Sequence, residues 1–218
     1  VTLLSTVYSF AMGRDLVEIN PCKGIKKFKE EAKDRFLSVS EFKDLGDALN
    51  QANNEEHPSA LNIIRMLVLT GCRKGEIQTL KWEYINWEDS SINLPDSKTG
   101  KKKIRLSQSA VEVLKNQTQI QGNPYVFHGE KEKHYFVGIA KVWKRVKDRK
   151  ESLTGLRLHD LRHSFASVGV AGGYNLTMIG ALLGHSSSAT TERCAHLSDD
   201  PVKLANEDIA ETISGYLK

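Results

Sequence analysis

Six side chains, scattered from position 73 to position 194, share one chemical tendency: each can bind, protonate or attack a phosphate. The earliest is Arg73, set between Gly71 and Gly75 in the stretch Leu69-Thr70-Gly71-Cys72-Arg73-Lys74-Gly75-Glu76-Ile77. A guanidinium at the start of a short helix makes an anion site, because its fork and the unpaired N–H groups of the first turn both favour a phosphate. The same spacing reads equally as a capping turn in which Arg73 pairs with Glu76. Lys98 lies on the turn Ser97-Lys98-Thr99-Gly100-Lys101, from which an ammonium can reach a DNA groove or protonate a leaving oxygen. In Leu158-His159-Asp160-Leu161-Arg162-His163-Ser164-Phe165, His159 and Arg162 are spaced i, i+3 and share a helical face, while Leu161 and Phe165 point to a core. His163 reads as a core or supporting histidine. Gly184-His185 permits a close approach and offers a donor to the same anion. Cys194 is the sixth, nucleophilic as a thiolate if nearby cations lower its pKa from about 8.5. Taken singly, each of these signals also has an ordinary structural reading.

The elements that must carry these groups follow from periodicity. Leu3 to Met12 is helix-like and begins without a capping signal, as expected of a chain that starts inside a helix. Asn20-Pro21 breaks that pattern, and the lysine-rich stretch from Gly24 to Arg35 reads as a linker, placing a boundary between residues 1–35 and 36–218. Ser38 or Ser40 caps a helix toward Asn50 with Phe42, Leu45 and Leu49 as its apolar stripe. Pro58 starts the next, where Leu61, Ile64, Leu67 and Val68 face a core before Gly71 stops it. A short helix over Lys74 to Leu80 precedes alternating apolar residues at Tyr84, Ile85, Trp87, Ile92 and Leu94, which together with Lys103 to Leu106 predict a small antiparallel sheet. Helices return at Ser109 to Gln119, at a Phe136/Ile139/Ala140/Trp143 stripe, and over His159–Val170, Leu176–Leu183, Ser188–Ala195 and Pro201–Leu217. The fold class is therefore mainly α with a small antiparallel β-sheet.

Composition narrows the partner. The 218 residues carry a net charge of +4 and three cysteines, with a pI near 8.9. Cys22, Cys72 and Cys194 form no CxxC pair, so neither a disulfide framework nor a zinc ribbon is indicated, and a reducing, cytoplasmic setting is expected. Apolar runs such as Ile63 to Thr70 are too short to span a membrane. Lys98, Lys101, Lys102, Lys103 and Arg105 occur with no acid among them, and Lys141, Lys144, Arg145, Lys147, Arg149 and Lys150 are opposed only by Asp148. Either run alone reads as a solvated face; two of them flanking the groups above point to a phosphate backbone, with Lys101, Lys102, Lys103, Lys141, Lys144 and Arg145 as candidate DNA contacts.

In order and spacing, the Arg73 segment, the hairpin Lys98, His159-x-x-Arg162 and Leu183-Gly184-His185 resemble the catalytic domain of the tyrosine recombinases, the phage integrase family, over about residues 36 to 210. The resemblance implies the DNA breaking-rejoining fold and a double-stranded DNA partner. It implies that Arg73 and Arg162 clamp the scissile phosphate, Lys98 protonates the leaving 5′ oxygen, His159 handles the nucleophile's proton and His185 hydrogen-bonds the phosphate. It implies no metal or nucleotide cofactor. Members join a tyrosine to the 3′ phosphate; here Cys194 occupies that position. A cysteine sulfur falls roughly 3 to 4 Å short of a tyrosine oxygen, and a misplacement of about 1 Å can cost a hundredfold, so DNA binding without efficient cleavage is expected. Residues 1 to about 13 are expected to be the last helix of a core-binding domain. An amphipathic C-terminal helix, with Leu204, Ile209, Ile213 and Leu217, serves either internal packing or docking within a homotetramer on DNA. Two other classes are weighed. A non-cleaving DNA-binding regulator shares every feature named; a zinc hydrolase using His159, His163, His185 and Cys194 lacks the glutamate that follows the first histidine in the zincin motif.

Overall fold

Ser38 starts the first helix of the larger unit by chemistry that is local in sequence. Its hydroxyl accepts the Glu41 backbone N–H while Glu41 returns a bond to the Ser38 N–H, a reciprocal pair that launches α2 (Val39–Gln51). The computed structural model describes residues 1–26, 35–96 and 100–184. By its contacts the chain divides into residues 1–33 and 34–218. In the first unit α1 (Thr2–Met12) is followed by a stretch that Asn20 ties back to the helix, its amide donating to the Ser5 carbonyl and to the Ser5 and Ser9 hydroxyls.

The second unit is mainly helical and is built around α3 (Pro58–Thr70). Proline at its first turn fixes the backbone where no N–H is needed, and Gly71 ends it at φ 60, a left-handed cap. A single apolar stripe was expected here. Instead Ala60, Leu61, Ile63, Ile64, Met66 and Leu67 are all buried, because α3 is surrounded: it packs on α4 (Lys74–Gln78), α5 (Gln108–Lys115), α6 (Ile139–Lys147) and α7 (Asp160–Ala171). Val68, read as part of the stripe, is only half-buried.

Three antiparallel strands in the order β1 (Ile85–Asn86), β2 (Ser91–Leu94) and β3 (Lys102–Arg105) form the sheet. Register pairs Ile85 with Ile92, Ile92 with Ile104 and Leu94 with Lys102, so one face of the ladder is apolar except at Lys102. Two helices depart from expectation. α5 stops at Lys115, short of Gln119, where Asn116 caps it. α6 begins only after Gly138, whose φ of 106 a side chain would resist, so Phe136 lies outside the helix with its N–H on the Phe127 carbonyl. The buried stripe is therefore Ile139, Val142, Trp143 and Val146, and Ala140 faces solvent. Finally α8 (Leu176–Leu183), capped by Asn175, ends at Gly184 with φ 68. The helices expected over Ser188–Ala195 and Pro201–Leu217 lie outside the described residues.

Candidate active site

A closed circuit of contacts joins five elements, α3, α4, β3, α7 and α8, at the C-terminal ends of α3 and α8. Arg162, on the inner face of α7, is 3% exposed, and its guanidinium donates to the Gly71 carbonyl at 2.7 Å and to the Leu183 carbonyl at 3.0 Å. Both carbonyls sit at helix C-termini, where orphan acceptors and the negative end of the helix dipole favour a cation. Two residues beyond Gly71, Arg73 caps the start of α4. Its Nη1 donates to Glu76 Oε1 at 2.9 Å and its backbone N–H to Glu76 Oε2 at 3.0 Å. The other donor to Oε2 is Lys102 Nζ, at 2.9 Å. The Lys102 stem closes the circuit, since a Cβ added at Gly184 would lie 2.6 Å from its Cε, beside the Leu183 carbonyl that Arg162 holds.

Each closure uses a residue type the geometry demands. Only glycine fits at 71 and 184: both have left-handed backbone, and a Cβ at Gly71 would meet Leu183 at 2.6 Å and the Phe165 ring at 2.8 Å. Burial works to raise the Glu76 pKa, but the bonds from Lys102 and from Arg73 more than offset it and hold the carboxylate ionised. Inside the circuit lies Cys72, whose thiol is pushed up by burial and is therefore inert as a nucleophile at neutral pH.

His159 is held at the mouth of α7. The α6 Trp143 Nε1 donates to the Leu156 carbonyl at 3.1 Å, and Asp160, fully buried, accepts the Arg157 backbone N–H at 2.7 Å and its guanidinium at 2.6 Å. These bonds fix the turn that presents His159 as the residue preceding the helix. As a residue it is exposed, yet crowding about the ring lowers its pKa, with His163 and Arg162 adding to the effect. The His163 ring stands edge-on 4.9 Å from it. At neutral pH His159 is thus uncharged and able to accept a proton. Asp160 escaped the sequence reading, although an acid in a helix's first turn was there to be seen; so did Ser164, which links the Asp160 carbonyl to the Leu37 N–H.

Arg73 and Arg162 are thus brought together, with His159 one helical turn from Arg162. Lys98, His185 and Cys194 lie outside the described residues. Among the outer cations, Lys101 and Lys103 are exposed, Lys103 paired with Asp89. Lys102 differs from expectation: it is a buried member of the circuit instead of a surface cation, because the strand alternates and its position faces inward. On α6, Lys141 is exposed, Lys144 pairs with Asp148 at 2.6 Å, and Arg145 is bound through both Nε and Nη2 to Glu56. A cleft of about 520 Å³ opens beside Arg73, walled by Gly75, Thr79, Lys81, Tyr84 and Asp96. A similar cleft of about 510 Å³, around His57, His134 and Phe136, lies at the opposite end of α3 and shares no residue with the circuit.

The arrangement is a mainly helical domain in which Arg162 is fixed on the Gly71 carbonyl two residues before Arg73, with His159 one turn before Arg162 and the exposed Lys101 and Lys103 at the neighbouring strand. The phage integrase family model matches residues 35–200. The chain is similar to the tyrosine recombinase XerC of Pediococcus pentosaceus, at 28% identity over 217 residues covering 93% of this chain and 71% of the relative. It is similar to the shufflon-specific DNA recombinase of Escherichia coli, at 30% over 201 residues, covering 90% of this chain but 50% of that protein. Among solved structures, the XerA recombinase superposes with a TM-score of 0.61 at 22% identity, covering 94% of this chain and 73% of that one. The Tn1549 transposon integrase, in complex with a circular intermediate DNA, superposes at 0.66 with 15% identity, covering 94% and 76%. The chain belongs to the phage integrase family, the tyrosine recombinases, and has their catalytic fold. No helix among the described residues is long and apolar enough to cross a membrane.

Proposed function

We propose that this chain is the catalytic domain of a site-specific DNA recombinase that acts on double-stranded DNA in the cytoplasm, and that the form with Cys194 binds its DNA without efficient strand cleavage. The observation that supports this best is the circuit itself: a buried Arg162 and a half-exposed Arg73, locked to one another through Gly71, Glu76, Lys102 and Gly184. Rigid cations of this kind stabilise charge that develops on a phosphate in the transition state, and they need no reorganisation to do so.

In the reaction so read, Arg73 and Arg162 bind the non-bridging oxygens. His159, neutral at pH 7, accepts the proton of the attacking hydroxyl. The nucleophile's oxygen joins phosphorus as the bond to O5′ breaks; Lys98 gives the leaving oxygen a proton, and His185 donates to the phosphate. The 3′-phosphotyrosine so formed keeps the bond energy for rejoining. Guanidinium and imidazole groups supply the positive charge, so the scheme calls for no metal or nucleotide. A thiol at position 194 stands too near its own backbone to reach. The candidate contacts Lys101, Lys103, Lys141, Lys144 and Arg145 hold the flanking backbone, and the C-terminal helix docks on a neighbouring subunit in a tetramer on DNA.

Cys194 also favours a second reading, a regulator that occupies recombination sites without cutting. The Cys194→Tyr protein, incubated with a pool of nicked duplexes, separates the two. Protein–DNA adducts that survive denaturation are expected from the tyrosine form and absent from the Cys194 form. Binding by both with adducts from neither would favour the regulator.

A further inference from the structure

Lys102 is the middle lysine of three, yet its side chain is only 5% exposed while its neighbours face water. An ammonium is rarely buried without a partner, and among the described residues its partner is Glu76. That carboxylate already serves Arg73 twice, so it meets two cations and one backbone N–H. One negative charge between two positive ones leaves a surplus of one.

We propose that Lys102 is a positioning residue for Arg73: by occupying Glu76 Oε2, it prevents the carboxylate from capturing the whole guanidinium, and so keeps Arg73 available to the phosphate. The inference rests on the strand-transfer reading above. Carboxylates prefer to take arginine in a two-pronged grip. With Lys102 absent, the Oε2 lone pairs it uses return to the nearest cation, and Arg73 becomes a neutralised, inward-turned member of a simple ion pair. Lys102 also spans the site: its stem fills the space over Gly184 while its head sits on Glu76 of α4, so β3, α4 and the end of α8 are tied by one side chain.

The test uses the Cys194→Tyr protein and nicked duplexes with either oxygen or sulfur at the bridging 5′ position. When the nucleophile attacks, an oxygen leaving group must take a proton from Lys98, whereas a leaving thiolate needs none. Lys102→Met keeps the length of the stem and removes the charge. It is expected to lower the rate of adduct formation on the order of 10- to 100-fold at saturating DNA, equally for both leaving groups. Adding Glu76→Gln to Lys102→Met removes the captor and is expected to recover part of that loss, which a merely structural lysine would not allow. No loss in Lys102→Met, full rescue by sulfur, or a double variant worse than the single one would each overturn the proposal. Thermal melting and far-UV dichroism establish that each variant is folded. Should Cys194→Tyr itself form no adduct, the strand-transfer reading fails and the inference is read from DNA binding by the Cys194 chain. There Lys102→Met and Arg73→Ala should each flatten the dependence of log K on log salt by about one, and the two together should do no more than either alone; additive slopes would overturn it.

Discussion

The chain carries two sets of cations, and they are built on opposite plans. Around Arg162, Arg73 and Lys102 the charges are buried or half-buried; Arg162 and Lys102 are held by a carbonyl or carboxylate from another element, and Arg73 by Glu76 of the helix it caps. Along α6, Lys141, Lys144 and Arg145 stand in water, and where they are paired the partner is the surface acid Asp148 or Glu56, whose own side chain is largely covered. Charge counts do not distinguish the two sets. Burial of the cation does: the first set is held in fixed bonds away from solvent, while the second supplies a screened field that salt can weaken.

The sharpest way to break this contrast is Arg162→Ala. It strips two buried carbonyls of their donor and opens a cavity, at an expected cost of about 3 kcal/mol or more; urea unfolding that shows less than about 1 kcal/mol would show that the circuit is not what holds α3 to α8. Next comes Gly71→Ala, where left-handed backbone and the clash with Leu183 and Phe165 should together cost about 2–4 kcal/mol, read as a fall in Tm. On the outer set, Arg145→Ala should leave stability within about 1 kcal/mol. If α6 touches DNA, Lys141→Ala should weaken binding alike for all sequences and reduce the salt slope by about one; an unchanged slope would place α6 away from the backbone.

The smallest effect expected is one of pH. Glu41, bonded by the Arg35 guanidinium, has its pKa lowered from 4.5 to about 2. A depressed carboxylate stabilises the fold above its unfolded pKa, and that contribution fades as pH falls from about 4.5 toward 2. Urea midpoints for Glu41→Gln and the parent should therefore differ at pH 7 and converge near pH 2.

How much was legible without coordinates depends on how local the determinant is. Ser38 with Glu41, and Pro58 with Gly71, announce α2 and α3 because caps act over a single turn. The family was legible because the Arg73 segment, His159-x-x-Arg162 and Leu183-Gly184-His185 keep their residue types and order along the chain. The start of α6 was misread, since a four-residue apolar spacing looks the same whether or not Gly138 interrupts it. Lys102 was misassigned for a related reason: three lysines in a row carry no mark of which one faces inward until a strand's register is set by its partner.

The sequence by itself determined the family and the mainly helical character with one small sheet, since these rest on residue type and short-range spacing. The tertiary structure alone decided which cations are fixed and which are solvated. That choice depends on partners distant in the chain, such as Gly71 for Arg162, Glu76 for Lys102 and Glu56 for Arg145, and a charge takes its role from the dielectric and the bonds around it.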